Sequence, residues 1–297
     1  MLRSMYAGIS GMKAFQTKLD VIGNNIANVN TAGFKKGRAM FQDMMSQQVA
    51  GASAPTNIRG GINPAQVGTG AQLGSIDNIH TQGNRQTTSR PLDLQLEGDG
   101  MFVFGSGIAQ DAGVVDFANT ELLFSRAGNL YLDDNNYVVN ANGQYLIGQN
   151  GLAQNDNAVA GASRIRIPES AQSFSVQGNG VVNYVDENGE TQAAGQIMLA
   201  KFSNPGGLEK VGSNMYRSSV NDGVFTDDGD AINGLEDIYA PEGNGTASIV
   251  AGALEMSNVD LSEEFTEMIT AQRGFQANTR IITTSDEILQ ELVNLKR

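Results

Sequence analysis

Residues 258–295 read NVDLSEEFTEMITAQRGFQANTRIITTSDEILQELVNL, and within them Leu261, Met268, Phe275, Ile282 and Leu289 recur every seven positions, with Ile281, Ile288 and Leu295 on the flank. A sustained seven-residue apolar period keeps one seam of a helix facing a partner. The other end of the chain carries the same signature. In residues 3–29, RSMYAGISGMKAFQTKLDVIGNNIANV, one row is Met5, Met12, Leu19 and Ile26, and beside it lie Phe15, Ile22 and Val29. As helices these segments would span roughly 57 and 40 Å at about 1.5 Å per residue. All six prolines (Pro55, Pro64, Pro91, Pro168, Pro205 and Pro241) fall between them. Residues 1–50 carry six Lys/Arg against two Asp/Glu, and residues 251–297 carry four against eight. Opposite charge selects partner and orientation, so the two ends are expected to meet. The plainer alternative packs each amphipathic helix onto a globular core.

The signals at the helix ends are local. Asp260-Leu261-Ser262-Glu263 resembles a capping box, in which Asp260 accepts from the backbone and Glu263 reaches back. Glu264 and Glu267 suit the positive start of that helix, and Lys296 and Arg297 its negative end. The first helix should fray at Asn24-Asn25-Ile26-Ala27-Asn28-Val29-Asn30, because asparagine competes for backbone hydrogen bonds, and Thr31-Ala32-Gly33 should stop it. From Phe34 to Met45 we expect an irregular arm or short helix anchored by Phe34, Phe41, Met44 and Met45. The mix of Gly, Ala, Ser, Thr, Asn and Pro over residues 51–74 predicts a linker or long loop.

Short strands with turn signals fill the middle. Leu92-Asp93-Leu94-Gln95-Leu96 alternates with period two, and Met101-Phe102-Val103-Phe104 reads as a buried strand. Asp133-Asp134-Asn135-Asn136, Asn142-Gly143 and Asn188-Gly189 predict hairpin turns, and 165–167 and 197–202 further strands. The 36 glycines against 6 prolines agree with turn-rich β structure. The fold class is therefore α+β: long terminal helices paired in coiled-coil fashion, with a central antiparallel β domain, partly barrel-like. The expected division is 1–30 and 258–297 as a terminal helical domain, 31–74 as connecting arm and linker, 75–245 as the β domain, and 246–257 as the return connection.

Composition excludes several classes of function. With no cysteine, disulfides, thiolate metal sites and cysteine nucleophiles are excluded. A net charge of −13 argues against nucleic-acid binding. No window approaches the ~18 consecutive apolar residues of a membrane span. The first residues lack the uninterrupted apolar stretch of a cleavable secretory peptide. His80 is the single histidine, so it is expected to be solvated or hydrogen-bonded. Residues 68–74 match a phosphate loop only loosely and read as linker. Asp222, Asp227, Asp228, Asp230, Glu236 and Asp237 form an acidic run that fits no EF-hand spacing, and it reads as a solvated loop, with a weak surface ion site as the alternative. Catalysis, cofactors and a resident metal are not expected.

One stretch is more specific. Leu19 through Lys35, with Asn24, Asn25, Asn28, Thr31, Gly33, Phe34 and Lys35, closely resembles the N-terminal signature of bacterial flagellar rod and hook proteins. Asn258 through Phe265, continuing through Met268-Ile269 and Gln272-Arg273, resembles the C-terminal helix of that family. Leu92 to Phe102 and Phe124 to Leu130 resemble its β domain. The resemblance implies a structural subunit that polymerises with itself, its terminal helices lining an inner tube, exported through the flagellum's own type III channel to the basal body or hook. It also implies other axial proteins as neighbours, such as distal-rod and hook–filament junction proteins, and the hook cap and export apparatus as partners during assembly. Met5, Met12, Phe15, Leu19, Ile22, Ile26, Leu261, Met268, Phe275, Ile282 and Leu289 are then the expected polymerisation interface. Met5-Tyr6-Ala7-Gly8-Ile9-Ser10-Gly11-Met12 and the segment from Gly252 to Leu261 look hook-like, so a hook subunit, a flexible universal joint, is the expected placement. The alternative is a distal-rod subunit in a straight drive shaft, and residues 47–66 resemble a piece found in such proteins. A secreted β-rich adhesin is the alternative from another class, although the chain has no tryptophan.

Overall fold

The computed structural model describes residues 2–56, 58–106, 117, 120–150, 161–225, 232 and 237–295. The chain forms two compact units. The first comprises residues 1–28, 36–79 and 259–297, the second residues 29–35 and 80–258.

In the first unit, α1 (Leu2–Ala27) and α2 (Leu261–Leu295) pack side by side in opposite directions. Asp260 caps α2 through its Oδ1, which accepts from the backbone N–H groups of Ser262 at 2.8 Å and Glu263 at 3.5 Å. The reciprocal half of the expected capping box is not made, because the Glu263 carboxylate pairs with Lys36 at 2.8 Å instead. Lys296 and Arg297 lie outside the described residues.

The expected arm and linker are β structure. Strand β1 (Gly37–Asp43) pairs antiparallel with β4 (Ala71–Asn78), and β2 (Ser46–Ala50) with β3 (Ala65–Gly68). Bridges Ser53 to Ile62 and Thr56 to Arg59 carry the second pair outward to its tip. Residues 46–56 and 58–68 therefore form one antiparallel ribbon, about 35 Å long at the usual rise of a strand. Every described residue of the ribbon is exposed, on both faces. That explains why sequence patterning missed it: a strand with no buried face shows no alternation.

In the second unit, a sheet of twelve strands runs along the main path Ser173–Val176, Val181–Val185, Thr191–Ile197, Tyr145–Asn150, Met101–Ser106, Glu121–Ser125, Met215–Arg217 and Glu209–Gly212. The neighbours on this path are antiparallel. Among the described residues the path is open, without the barrel closure anticipated. Phe102 and Phe104 enter one core cluster with Leu94, Leu96, Leu146 and Ile197. Met101 and Val103 enter another with Phe124 and Ile147, so the central strand is covered on both faces. Leu94–Glu97 pairs with Ser248–Ala251, and Gln95 is buried along with its apolar neighbours, contrary to simple alternation. The expected turns stand at 133–136, 142–143 and 188–189, with positive φ at Asn136, Gly143 and Gly189.

Candidate assembly sites

The helix seam of the first unit is set by small residues as much as by the apolar rows. The buried positions of α2 are Glu264, Ala271 and Ser285, with half-buried Asn278 completing a seven-spaced row. Met268, Phe275, Ile282 and Leu289 flank it, half-buried. On α1, Ile22 is buried, whereas Met5, Met12, Phe15, Leu19 and Ile26 are half-buried. Leu261, also expected at the interface, is 40% exposed, as are the flanking Ile281, Ile288 and Leu295 at 43%, 47% and 82%. The close approach depends on Gly274, where an added Cβ would fall 2.6 Å from the Phe15 ring. Phe15 also packs edge-on against Phe41 of β1, with ring centroids 6.2 Å apart. The opposite charges of the two ends meet in the Lys18–Glu267 pair at 3.1 Å and the Lys36–Glu263 pair.

Asn25 explains part of the asparagine-rich signature. It is buried, its Nδ2 donates to Gly37 O at 2.9 Å, and its Oδ1 accepts from Gly37 N at 3.0 Å. The same amide donates to Glu264 Oε2 at 3.2 Å, joining the end of α1, the start of β1 and the first turn of α2. Burial raises the Glu264 carboxyl above its ordinary value, and the Asn25 hydrogen bond opposes that rise. Asn28 donates to Asn24 O at 2.9 Å and to Asn24 Oδ1 at 2.8 Å, which is the local competition that ends a helix.

The second half of the signature is a buried ionic lock in the second unit. Lys35, fully buried, donates to Glu255 Oε1 at 2.5 Å and to Thr81 O at 2.8 Å. Glu255 also accepts from Gly83 N at 2.9 Å and from Arg126 at 3.3 Å. Burial lowers Lys35 below the ordinary lysine value, and the adjacent Glu255 works against it. Gly33 closes the turn at φ +71°, where an added Cβ would fall 2.7 Å from Ala127 N, and its N–H donates to Glu255 O at 2.8 Å. Asn214 Nδ2 donates to Ala32 O, and the Phe34 ring lies under the Lys210 ammonium at 5.2 Å. Arg126 and Glu255 escaped sequence reasoning as chemistry. They stand 129 residues apart in the chain, and no local pattern links them.

Among the described residues, the remaining candidates form no catalytic constellation. His80 is neither solvated nor hydrogen-bonded among the described residues. Both ring nitrogens are buried without a partner, and the ring tilts against Tyr216 at 5.5 Å. Burial, reinforced by Lys35, Arg126 and Lys210, lowers its pKa to about 4. Burial also pushes Tyr216 up to about 12. Of the acidic run, Asp227, Asp228, Asp230 and Glu236 lie outside the described residues. Asp222 and Asp237 are buried rather than solvated, and Asp222 accepts from Ser218 Oγ at 2.6 Å and Ser219 N at 3.0 Å. Residues 68–74 join β3 to β4 and are not a linker. Among the described residues, no group of three or more His, Asp or Glu side chains is placed to hold a metal, and no helix is long and apolar enough to cross a membrane.

Three family descriptions match the chain: flagella basal body rod protein over residues 5–35, flagellar hook protein FlgE/F/G D1 domain over 95–184, and flagellar basal body rod FlgEFG protein C-terminal over 250–295. The first covers Asn25 and Lys35, the second Arg126 and the last Glu255 and Glu264, so the polar side chains of both networks fall within the matches, while their backbone partners Gly37, Thr81 and Gly83 lie outside them. The chain is 50% identical over 297 residues to the flagellar basal-body rod protein FlgG of Bacillus subtilis, covering all of both chains. It is 34% identical to FlgG of Caulobacter vibrioides, covering 99% of this chain and all of that one. It is 30% identical over 452 aligned positions to the flagellar hook protein FlgE of Borreliella burgdorferi, again covering all of both. The chain belongs to the flagellar rod and hook family of axial structural proteins, which are not enzymes.

Proposed function

We propose that this chain is a subunit of the distal rod, the straight shaft of the basal body, rather than of the hook. The observation that carries this reading is the end-to-end correspondence with rod proteins: 50% identity over 297 positions, against 30% over 452 for the hook protein, which therefore carries segments with no counterpart here. This favours the rod over the hook placement expected from the terminal sequences, and membership of the family displaces the adhesin.

The ribbon of residues 46–68 supports the same reading. A two-stranded ribbon exposed on both faces is marginal by itself in water. Met45, Val49 and Ile58 stand 86%, 64% and 99% exposed on and beside it. Packed between adjacent subunits, the ribbon would be covered and would restrict their sliding, which stiffens the tube.

In this proposal residues 1–30 and 258–297 form the polymerisation domain, with α1 and α2 supercoiled in the inner tube. Met5, Met12, Phe15, Leu19, Ile22, Ile26, Leu261, Met268, Phe275, Ile282 and Leu289 supply its packing. Residues 31–74 form the connecting arm, 75–245 the β domain and 246–257 the return connection. The partners are further copies of the chain, neighbouring axial proteins, and the cap and export apparatus during assembly. The test is immunogold labelling of an epitope-tagged chain in isolated hook–basal bodies. Label confined to the straight rod is expected, and label along the curved hook would overturn the placement.

A further inference from the structure

The first unit carries an apolar groove of about 670 Å³ between α1 and a wall made by Met44, Thr69 and the first residues of β4. Tyr6 and Ile9 of α1 lie with Met44 and Leu73 in its lining, and among the described residues that line it Arg3 and Lys13 are the charged ones, with no carboxylate. Tyr6 is 68% exposed, and neither Arg3 nor Lys13 belongs to an ion pair among the described residues. The groove is therefore apolar with a positive rim.

One segment of the chain has the complementary character. Gly8 lies against Ile282 in the antiparallel seam, so the first residue of α1 stands opposite about residue 288, and the last turns of α2 run past it. Ile288, Leu292, Val293 and Leu295 are left 47%, 48%, 66% and 82% exposed. Residues 286–295 also carry Asp286, Glu287 and Glu291 with no Lys or Arg. The other exposed apolar segments fit less well. The ribbon of residues 46–68 has Arg59 as its one charge, which the groove's rim would repel, and the acidic first turns of α2 are already paired with Lys18 and Lys36.

We propose that the groove of one copy receives residues 286–295 of α2 from a second copy. Apolar side chains fill the groove while Arg3 and Lys13 meet the three carboxylates, giving a head-to-tail contact that generates a polymer rather than a closed dimer. The inference rests on the reading that the chain polymerises, and it adds which surfaces meet.

The chain is free of cysteine, so introduced thiols report the contact cleanly. Full-length Ile9→Cys and Leu292→Cys chains, carrying different tags and co-assembled, are expected to form a disulfide-linked dimer bearing both tags. Polymers in which only same-tag dimers form, or none, would overturn the proposal. In parallel, Lys13→Glu and Glu291→Lys should each lower polymer yield about tenfold, and their combination should recover most of the loss. A combined variant no better than the worse single one would also overturn it. Failure of the unsubstituted chain to polymerise would remove the reading beneath the proposal. A wrong rod placement would instead show as label in the hook with the mixed-tag dimer still present.

Discussion

Phe102 and Phe275 are both apolar residues on regular elements, yet Phe102 is wholly buried in its own sheet and Phe275 only half-buried in the helix seam. The contrast holds for their surroundings. Leu94, Leu96, Phe104, Leu146 and Leu199 leave almost no surface to water, whereas Phe265, Ile269, Ile288 and Leu292 on α2 stand about half exposed. The core strands of the β unit meet their apolar demand within one chain, although Val211, Val220 and Phe225 at the surface of that unit stay exposed. The helical unit leaves much of its own unmet, at roughly 25 cal/mol for each Å² still exposed, and so holds a reserve of burial that a neighbouring subunit can draw on. On the proposed reading, folding and assembly fall to different parts of the molecule.

The largest effect on the β unit should come from breaking its ionic lock. Glu255→Ala leaves Lys35 and Arg126 buried without their carboxylate, and about 3–5 kcal/mol of stability should be lost. Urea unfolding of the variant, followed by tyrosine fluorescence, checks this. A loss under ~1 kcal/mol would show that water reaches the site freely.

A smaller effect follows from His80, whose folded pKa of about 4 lies below the ordinary 6.5. Because the depressed group binds its proton more readily when unfolded, its contribution is present in full above pH 6.5 and is lost as the pH falls toward 4. The loss should amount to about 2–3 kcal/mol across that window. His80→Phe should flatten the stability profile between these values, and a slope unchanged from the parent would contradict the assignment.

The smallest effect on folding, and the largest on assembly, belongs to the seam. Phe275→Glu or Leu19→Glu should change unfolding of the β unit by less than about 1 kcal/mol, since neither residue lies in it. Polymerisation should nevertheless be blocked, because a carboxylate desolvated between subunits has no partner. Normal rods assembled from either variant, seen by electron microscopy of basal bodies, would break the comparison.

What the sequence disclosed follows from the range of each interaction. The rows through Met268, Phe275 and Ile282 were legible because helical periodicity is local, and the turn asparagines and glycines because backbone conformation is set by neighbouring residues. The middle of the seam was not legible: Ala271, Asn278 and Ser285 mark the line of closest approach, and small or polar residues make no hydrophobic pattern. The ribbon of residues 46–68 looked like linker because neither of its faces is buried in one chain. Lys35 stood out only through resemblance, since its partner Glu255 lies 220 residues away. Asn25 and Glu264 are likewise joined across 239 residues.

The division between folding and assembly is tested most directly by hydrogen exchange on the verified monomer, followed by the same measurement on the assembled polymer. In the monomer, amides of residues 1–30 and 260–295 should exchange much faster than those of the strands between residues 94 and 200, and assembly should protect the ends while leaving the strands unchanged. Equal protection of the ends and the strands in the monomer would contradict the account.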